Sequence, residues 1–164
     1  MLLEDSLRAL GFVRANAGPI VDVGSGGGAP GIPLAYALPE REVVLLEAER
    51  RKCDFLEEWA PPNARVVWAR AEEQPTDWAG VATAKALAAP PVAAEWCLPL
   101  VRAGGVAILW AGESADLGAV RTVAGLLGAE LEASESGLFV LRKTMPTPDG
   151  FPRRTGVARK RPLV

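Results

Sequence analysis

Residues 19 to 33 read Pro-Ile-Val-Asp-Val-Gly-Ser-Gly-Gly-Gly-Ala-Pro-Gly-Ile-Pro, and few folds accommodate such a stretch. An apolar run, Ile20 to Val23, stops at glycine, and four of the five positions from 24 to 28 are glycine. Ala29-Pro30-Gly31-Ile32-Pro33 then opens a helix predicted over Leu34 to Leu38. Strand, glycine loop and helix in that order make a nucleotide-binding turn. Glycine allows positive φ and lets a ligand approach the main chain without meeting a Cβ. Unpaired N–H groups at the helix start favour electron-rich ligand atoms, and Pro33 suits a first turn that needs no donor there. The competing reading is a plain tight turn.

A second element favours the ligand. Val43-Val44-Leu45-Leu46 reads as a strand with Glu47 at its end, 19 positions beyond Gly28. A carboxylate so placed accepts hydrogen bonds from ribose hydroxyls. The loop nevertheless departs from the dinucleotide pattern. Position 29 is alanine, Pro30 interrupts the helix start, and Asp22 lies in the strand just before the glycines. A pyrophosphate gains nothing from a nearby carboxylate, whereas a cationic ligand does. S-adenosylmethionine carries a sulfonium and an ammonium and no phosphate, so it is the expected cofactor.

The 164 residues fit one domain with a substantial core, and no apolar run reaches the 18 residues a membrane span needs. Cys53 and Cys97 form no Cys-x-x-Cys pair and read as core thiols, with the cytoplasm as the default location. There is no histidine, which excludes a Ser-His-Asp triad and the usual histidine metal sites; no metal is expected. Charge is uneven. Residues 142 to 164 hold seven cations and one acid, a net +6 against −8 for the rest. Such a basic segment on an acidic body suggests a polyanionic partner.

Taken in order, residues 1 to 18 form a short N-terminal helical segment, with Leu3, Leu7 and Leu10 on one stripe and Gly11 closing it. Residues 19 to 143 alternate strands with helices. After the first two strands come a helix over 49 to 60, a strand from Arg65 to Ala69, and the polar cluster Arg70-Ala71-Glu72-Glu73. A weak fourth strand over 80 to 84 delivers Lys85, and a helix covers 91 to 102. Ala103-Gly104-Gly105 turns the chain into a strand from Val106 to Trp110, and a helix covers 116 to 127. A closing hairpin joins 129–134 to 138–143 across Ser136-Gly137. The segment from 144 to 164 is a basic tail with little pattern of its own. The expected fold is α/β and Rossmann-like: a seven-stranded, mostly parallel sheet with an antiparallel closing hairpin, as in class I S-adenosylmethionine-dependent methyltransferases.

Asp22-Val-Gly-Ser-Gly-Gly-Gly-Ala-Pro-Gly-Ile-Pro-Leu34 resembles the loop of the bacterial 16S ribosomal RNA guanine-N7 methyltransferases, the glucose-inhibited division protein B family. Leu46-Glu47, Arg51-Lys52-x-x-Phe55-Leu56, Arg70-Ala71-Glu72-Glu73, Phe151-Pro152-Arg153-Arg154-x-Gly156 and Lys160-Arg161-Pro162-Leu163 are similar to that family's later segments, in order. Family members usually carry a longer N-terminal helical region, of which Glu4-Asp5-Ser6-Leu7 resembles the last helix. They also tend to have arginine-alanine where this chain has Lys85-Ala86.

The resemblance implies methyl transfer from S-adenosylmethionine to guanine N7 of 16S ribosomal RNA, free or in the small subunit, by a monomer. Residues and resemblance together assign the cofactor to Asp22, Gly24, Ser25, Gly26, Gly28, Pro30, Gly31, Glu47, Ala71 and Glu72. Lys85 is the candidate catalytic and base-recognising cation, with Arg153 and Arg154 as further RNA contacts. The segment from 142 to 164 is expected to carry RNA affinity and to contribute little to cofactor affinity. Two alternatives stand beside this one: a small-molecule methyltransferase, and a cofactor-binding, RNA-associated protein without catalysis.

Overall fold

A computed structural model describes residues 2–164. Seven strands form one sheet: β1 (Ile20–Val23), β2 (Val43–Glu47), β3 (Ala64–Trp68), β4 (Ala79–Lys85), β5 (Val101–Trp110), β6 (Ala129–Glu135) and β7 (Leu138–Lys143). Their spatial order is β3-β2-β1-β4-β5-β7-β6. The first five are parallel, and β7 runs antiparallel between β5 and β6. The Rossmann-like α/β fold with its closing hairpin is therefore present as expected. The central strands β1, β2 and β4 are nearly continuous apolar runs because helices cover both of their faces.

Among the described residues there are seven α-helices: α1 (Leu2–Leu7), α2 (Leu10–Ala15), α3 (Gly31–Ala37), α4 (Arg50–Trp59), α5 (Pro90–Cys97), α6 (Leu117–Leu126) and α7 (Val157–Lys160). One apolar cluster packs Val13, Leu34 and Leu56 of α2, α3 and α4 on Ile20, Leu45 and Ile108. The other packs Ala94, Cys97, Val120 and Ala124 of α5 and α6 on the opposite face, against Val21, Leu46 and Leu109. Both cysteines are buried and free, as expected of core thiols.

Three expectations are corrected. Gly11 does not close the first helix; the chain breaks before it, and Gly11 lies inside α2. The helix predicted over 91 to 102 ends at Cys97, because a short 3₁₀ turn with Pro99 follows. Ala103-Gly104-Gly105 is not a turn ahead of β5 but an irregularity inside it. The β4 register slips between Ala79↔Val101 and Val81↔Val106, with Gly104 at φ +91°. Gly105 is needed there, since a Cβ would lie 2.5 Å from the Gly80 carbonyl oxygen.

Residues 144 to 164 pack against the body. Lys143, counted with the basic tail from sequence, is fully buried at the end of β7. Its Nζ donates to the carbonyl oxygens of Leu98 (2.8 Å) and Val101 (3.0 Å) and to Thr147 Oγ1 (2.8 Å), and pairs with Asp77 (3.2 Å). Burial lowers its pKa and the Asp77 charge opposes that shift. Arg142 is committed as well, to Glu132 across the hairpin and to Asn16. Among the described residues, no helix is long and apolar enough to cross a membrane.

Candidate active site

The strand order reverses direction between β1 and β4, and parallel sheets open a crevice at the carboxyl ends of their strands at such a point. A cleft of about 750 Å³ lies there. The loop after β1 forms its floor, the ends of β2 and β3 one wall, and Lys85-Ala86-Leu87 the other.

Local chemistry explains the loop. Gly24 and Ser25 N–H both donate to the Leu46 carbonyl oxygen (2.8 and 3.1 Å), tying the loop to the end of β2. Gly24 has φ +68°, and an added Cβ would meet Leu87 Cδ1 at 2.2 Å, so only glycine fits. At Gly27 a Cβ would meet nothing within 4 Å, so the floor is open at that position. Gly26 N–H donates to Glu47 Oε2 (2.8 Å), and Glu49 N–H to Glu47 Oε1 (2.9 Å). This fixes the kind of ligand that fits. The Gly26 donor is already satisfied by a carboxylate, whose charge would repel a phosphate placed beside it. The remaining lone pairs of Glu47 suit hydroxyl donors such as those of a ribose.

Of the residues assigned to the cofactor from sequence, Gly24, Ser25, Gly26, Glu47, Ala71 and Glu72 line the cleft. Asp22, Gly28, Pro30 and Gly31 do not; they shape the loop from beneath. Asp22 is buried, with Oδ2 accepting from Gly31 N–H (3.1 Å) and Oδ1 from Thr83 Oγ1 (2.9 Å). A Cβ on Gly31 would come within 2.6 Å of that carboxylate. Burial pushes the Asp22 pKa up from 3.8 to about 6, against its hydrogen bonds. Asp22 therefore does not reach the cleft, and the carboxylates that line it are Glu47, Glu49 and Glu72.

The Lys85 side chain lies in the cleft wall, and its Nζ pairs with Asp5 of α1. Trp110 Nε1 donates to the Asp5 carbonyl oxygen (3.1 Å), and Leu2 of α1 reaches the cleft. The N-terminal helix therefore closes the Lys85 end. At the opposite end, Glu72 Oε1 accepts from Trp96 Nε1 (3.0 Å) and from Gly156 N–H (3.1 Å). Arg159 also lines the cleft. The C-terminal segment is part of the wall, so its expected independence from the cofactor site does not fit this geometry.

Arg153 differs from its expectation as an RNA contact. Its Nε and Nη2 form a fork with the two oxygens of Glu95 (2.5 and 2.6 Å), a carboxylate only 3% exposed. Arg154 has no such partner among the described residues and is exposed. Sequence reasoning missed Leu87, Trp96 and Arg159. Trp96 reads as one apolar position of a helix, and Arg159 as one cation among many. Among the described residues, no group of three or more His, Cys, Asp or Glu side chains is placed to hold a metal.

Comparison with known proteins agrees with this architecture. The chain is 21% identical to the antibiotic-resistance methyltransferase Kmr, with a TM-score of 0.62 over 87% of this chain and 91% of that one. It is 17% identical to the T. thermophilus 16S rRNA N2 methyltransferase RsmC, solved with AdoMet and guanosine (TM-score 0.60; 80% of this chain, 36% of that one). These likenesses establish the fold. Sequence relatives go further. The chain is 40% identical to the ribosomal RNA small subunit methyltransferase G of Rubrobacter xylanophilus over 99% of its length and 69% of that protein. It is 32% identical to the same-named protein of Syntrophomonas wolfei, over 98% and 84%. The family model described as GidB, rRNA small subunit methyltransferase G, matches residues 1–124, and the chain belongs to that family.

Proposed function

We propose that the chain transfers a methyl group from S-adenosylmethionine to guanine N7 of 16S ribosomal RNA, acting as a cytoplasmic monomer. The observation that carries this is the glycine-rich loop floor beside Glu47, in a chain of this family. When bound, the cofactor supplies a methyl group on a sulfonium. Gly24, Ser25 and Gly26 would hold it along the floor, Glu47 would take the ribose hydroxyls, and Ala71 and Glu72 would flank the base.

The chain has little proton chemistry to perform. Guanine N7 presents an exposed lone pair, so no proton leaves before attack, and the absence of histidine is no obstacle. Rate enhancement then comes from proximity and orientation. Lys85, at the end of β4, would donate to the guanine O6 edge once Asp5 releases it.

Glu47→Ala should weaken S-adenosylmethionine binding by roughly 1–3 kcal/mol, the cost of losing charge-assisted hydrogen bonds. Calorimetry on the two proteins measures it. An unchanged dissociation constant in a folded variant would remove Glu47 from the site and the cofactor assignment with it.

A further inference from the structure

The C-terminal segment encloses a second hollow of about 560 Å³, outside the cofactor cleft. Its lining includes Arg153, Arg154, Lys160 and Arg161, with the glycines Gly150 and Gly156, and no carboxylate. Arg153 is spent on Glu95. Among the described residues, Arg154, Lys160 and Arg161 have no acidic partner, and all three are exposed. Arg8, Arg50, Lys52, Arg65 and Arg142 are each paired with a carboxylate, and although exposed cations without such a partner, Arg14 and Arg121 among them, occur elsewhere, Arg154, Lys160 and Arg161 gather around one hollow that no acid lines. A Cβ added at Gly150 or Gly156 would meet nothing within 4 Å, so the hollow is open where those glycines face it.

We propose that this hollow binds a phosphodiester of the RNA strand whose base enters the cleft, with Arg154, Lys160 and Arg161 as its ligands. Guanidinium forks and an ammonium suit the tetrahedral oxygens of a phosphate. The same segment leads directly to the cleft: Arg159 lies between Val157 and Lys160 of the hollow's lining, and it lines the cleft itself. Gly156, in the hollow's lining, donates its N–H to Glu72 in the cleft wall. One ordered segment thus presents a backbone anchor and a piece of the reaction site. The Arg153–Glu95 pair holds that segment in place, which is why its charge is unavailable to RNA.

The inference rests on RNA being the substrate and is tested with the full chain and a naked 16S rRNA transcript. Arg154→Gln, Lys160→Gln and Arg161→Gln are combined, and Arg14→Gln with Arg121→Gln serves as a charge-removing control on exposed residues elsewhere. Removing one cation that neutralises a phosphate reduces the log–log salt dependence of binding by about 0.7–0.9, so the triple variant should lower that slope by about 2–3. Its KM for RNA should rise about tenfold or more at moderate salt, with kcat at saturating RNA and the S-adenosylmethionine dissociation constant unchanged. The control should move the slope by much less. If wild type methylates the transcript and the triple variant keeps the wild-type slope, or only matches the control, the hollow is no phosphate site although the function stands. If wild type neither binds nor methylates RNA, both fall.

Discussion

Arg153→Ala should destabilise the protein by about 3–5 kcal/mol, the usual penalty for stranding one member of a buried ion pair. Both oxygens of Glu95 are held by the Arg153 fork, and Glu95 sits within α5 with almost no access to water. Alanine would leave that carboxylate buried and uncompensated. Part of the loss will appear locally. The segment beyond Arg153 is fastened by Gly156 N–H to Glu72 (3.1 Å) and Thr155 Oγ1 to Glu73 (3.3 Å), bonds that depend on its docking. Urea denaturation should show the drop, and the Gly156 amide should exchange faster. Replacing both partners with leucine should recover most of the stability, because buried pairs are often dispensable when removed together. A single variant within 0.5 kcal/mol of wild type, with unchanged Gly156 exchange, would show that Arg153 is a surface cation.

Asp22→Asn should gain stability relative to wild type as pH rises from about 4 to about 6. In the unfolded chain an aspartate titrates near 3.9. In the fold, burial holds the Asp22 pKa at about 6. Between those values the folded state keeps a proton that the unfolded state has released, so raising pH works against folding, and the penalty is complete above about 6. The rise corresponds to roughly 3 kcal/mol. Asparagine escapes it without reshaping the site: its oxygen can accept from Gly31 N–H while its amide donates to Thr83 Oγ1, the two partners Asp22 has now. Denaturation of both proteins across this range isolates Asp22 from other titrating groups. A difference that does not vary with pH would mean that Asp22 is ionised at low pH and well solvated.

Much of the fold was legible because its signals are local. The apolar runs at 20–23 and 43–46 and the glycines between them specify a parallel strand pair with a loop at its end, and Glu47 falls at the end of β2. The bulge in β5 was not legible. Ala103-Gly104-Gly105 has turn chemistry, and only the approach of Gly80 to Gly105 shows why glycines are required within a strand. The cations were harder still. Lys85 meets Asp5 across 80 residues and Arg153 meets Glu95 across 58, while Lys143 is caged by carbonyl groups of Leu98 and Val101. Sequence counts such charges but does not say which are spent inside the protein. The uncommitted cations of residues 142 to 164 are accordingly fewer than the segment's net charge implies: Arg154, Arg159, Lys160 and Arg161. Asp22 stood out in the sequence, but a strand position two residues before the glycines does not reveal whether its side chain points into the cleft or beneath it.

The most direct measurement is transfer of a labelled methyl group from S-adenosylmethionine to 16S ribosomal RNA, as the naked transcript and within small subunits, followed by nucleoside analysis. The proposed function predicts label in 7-methylguanosine, lost when Lys85 is replaced by alanine while cofactor binding persists. Label in small-molecule acceptors alone, label on another atom of the RNA, or no transfer by a chain that binds the cofactor would contradict it.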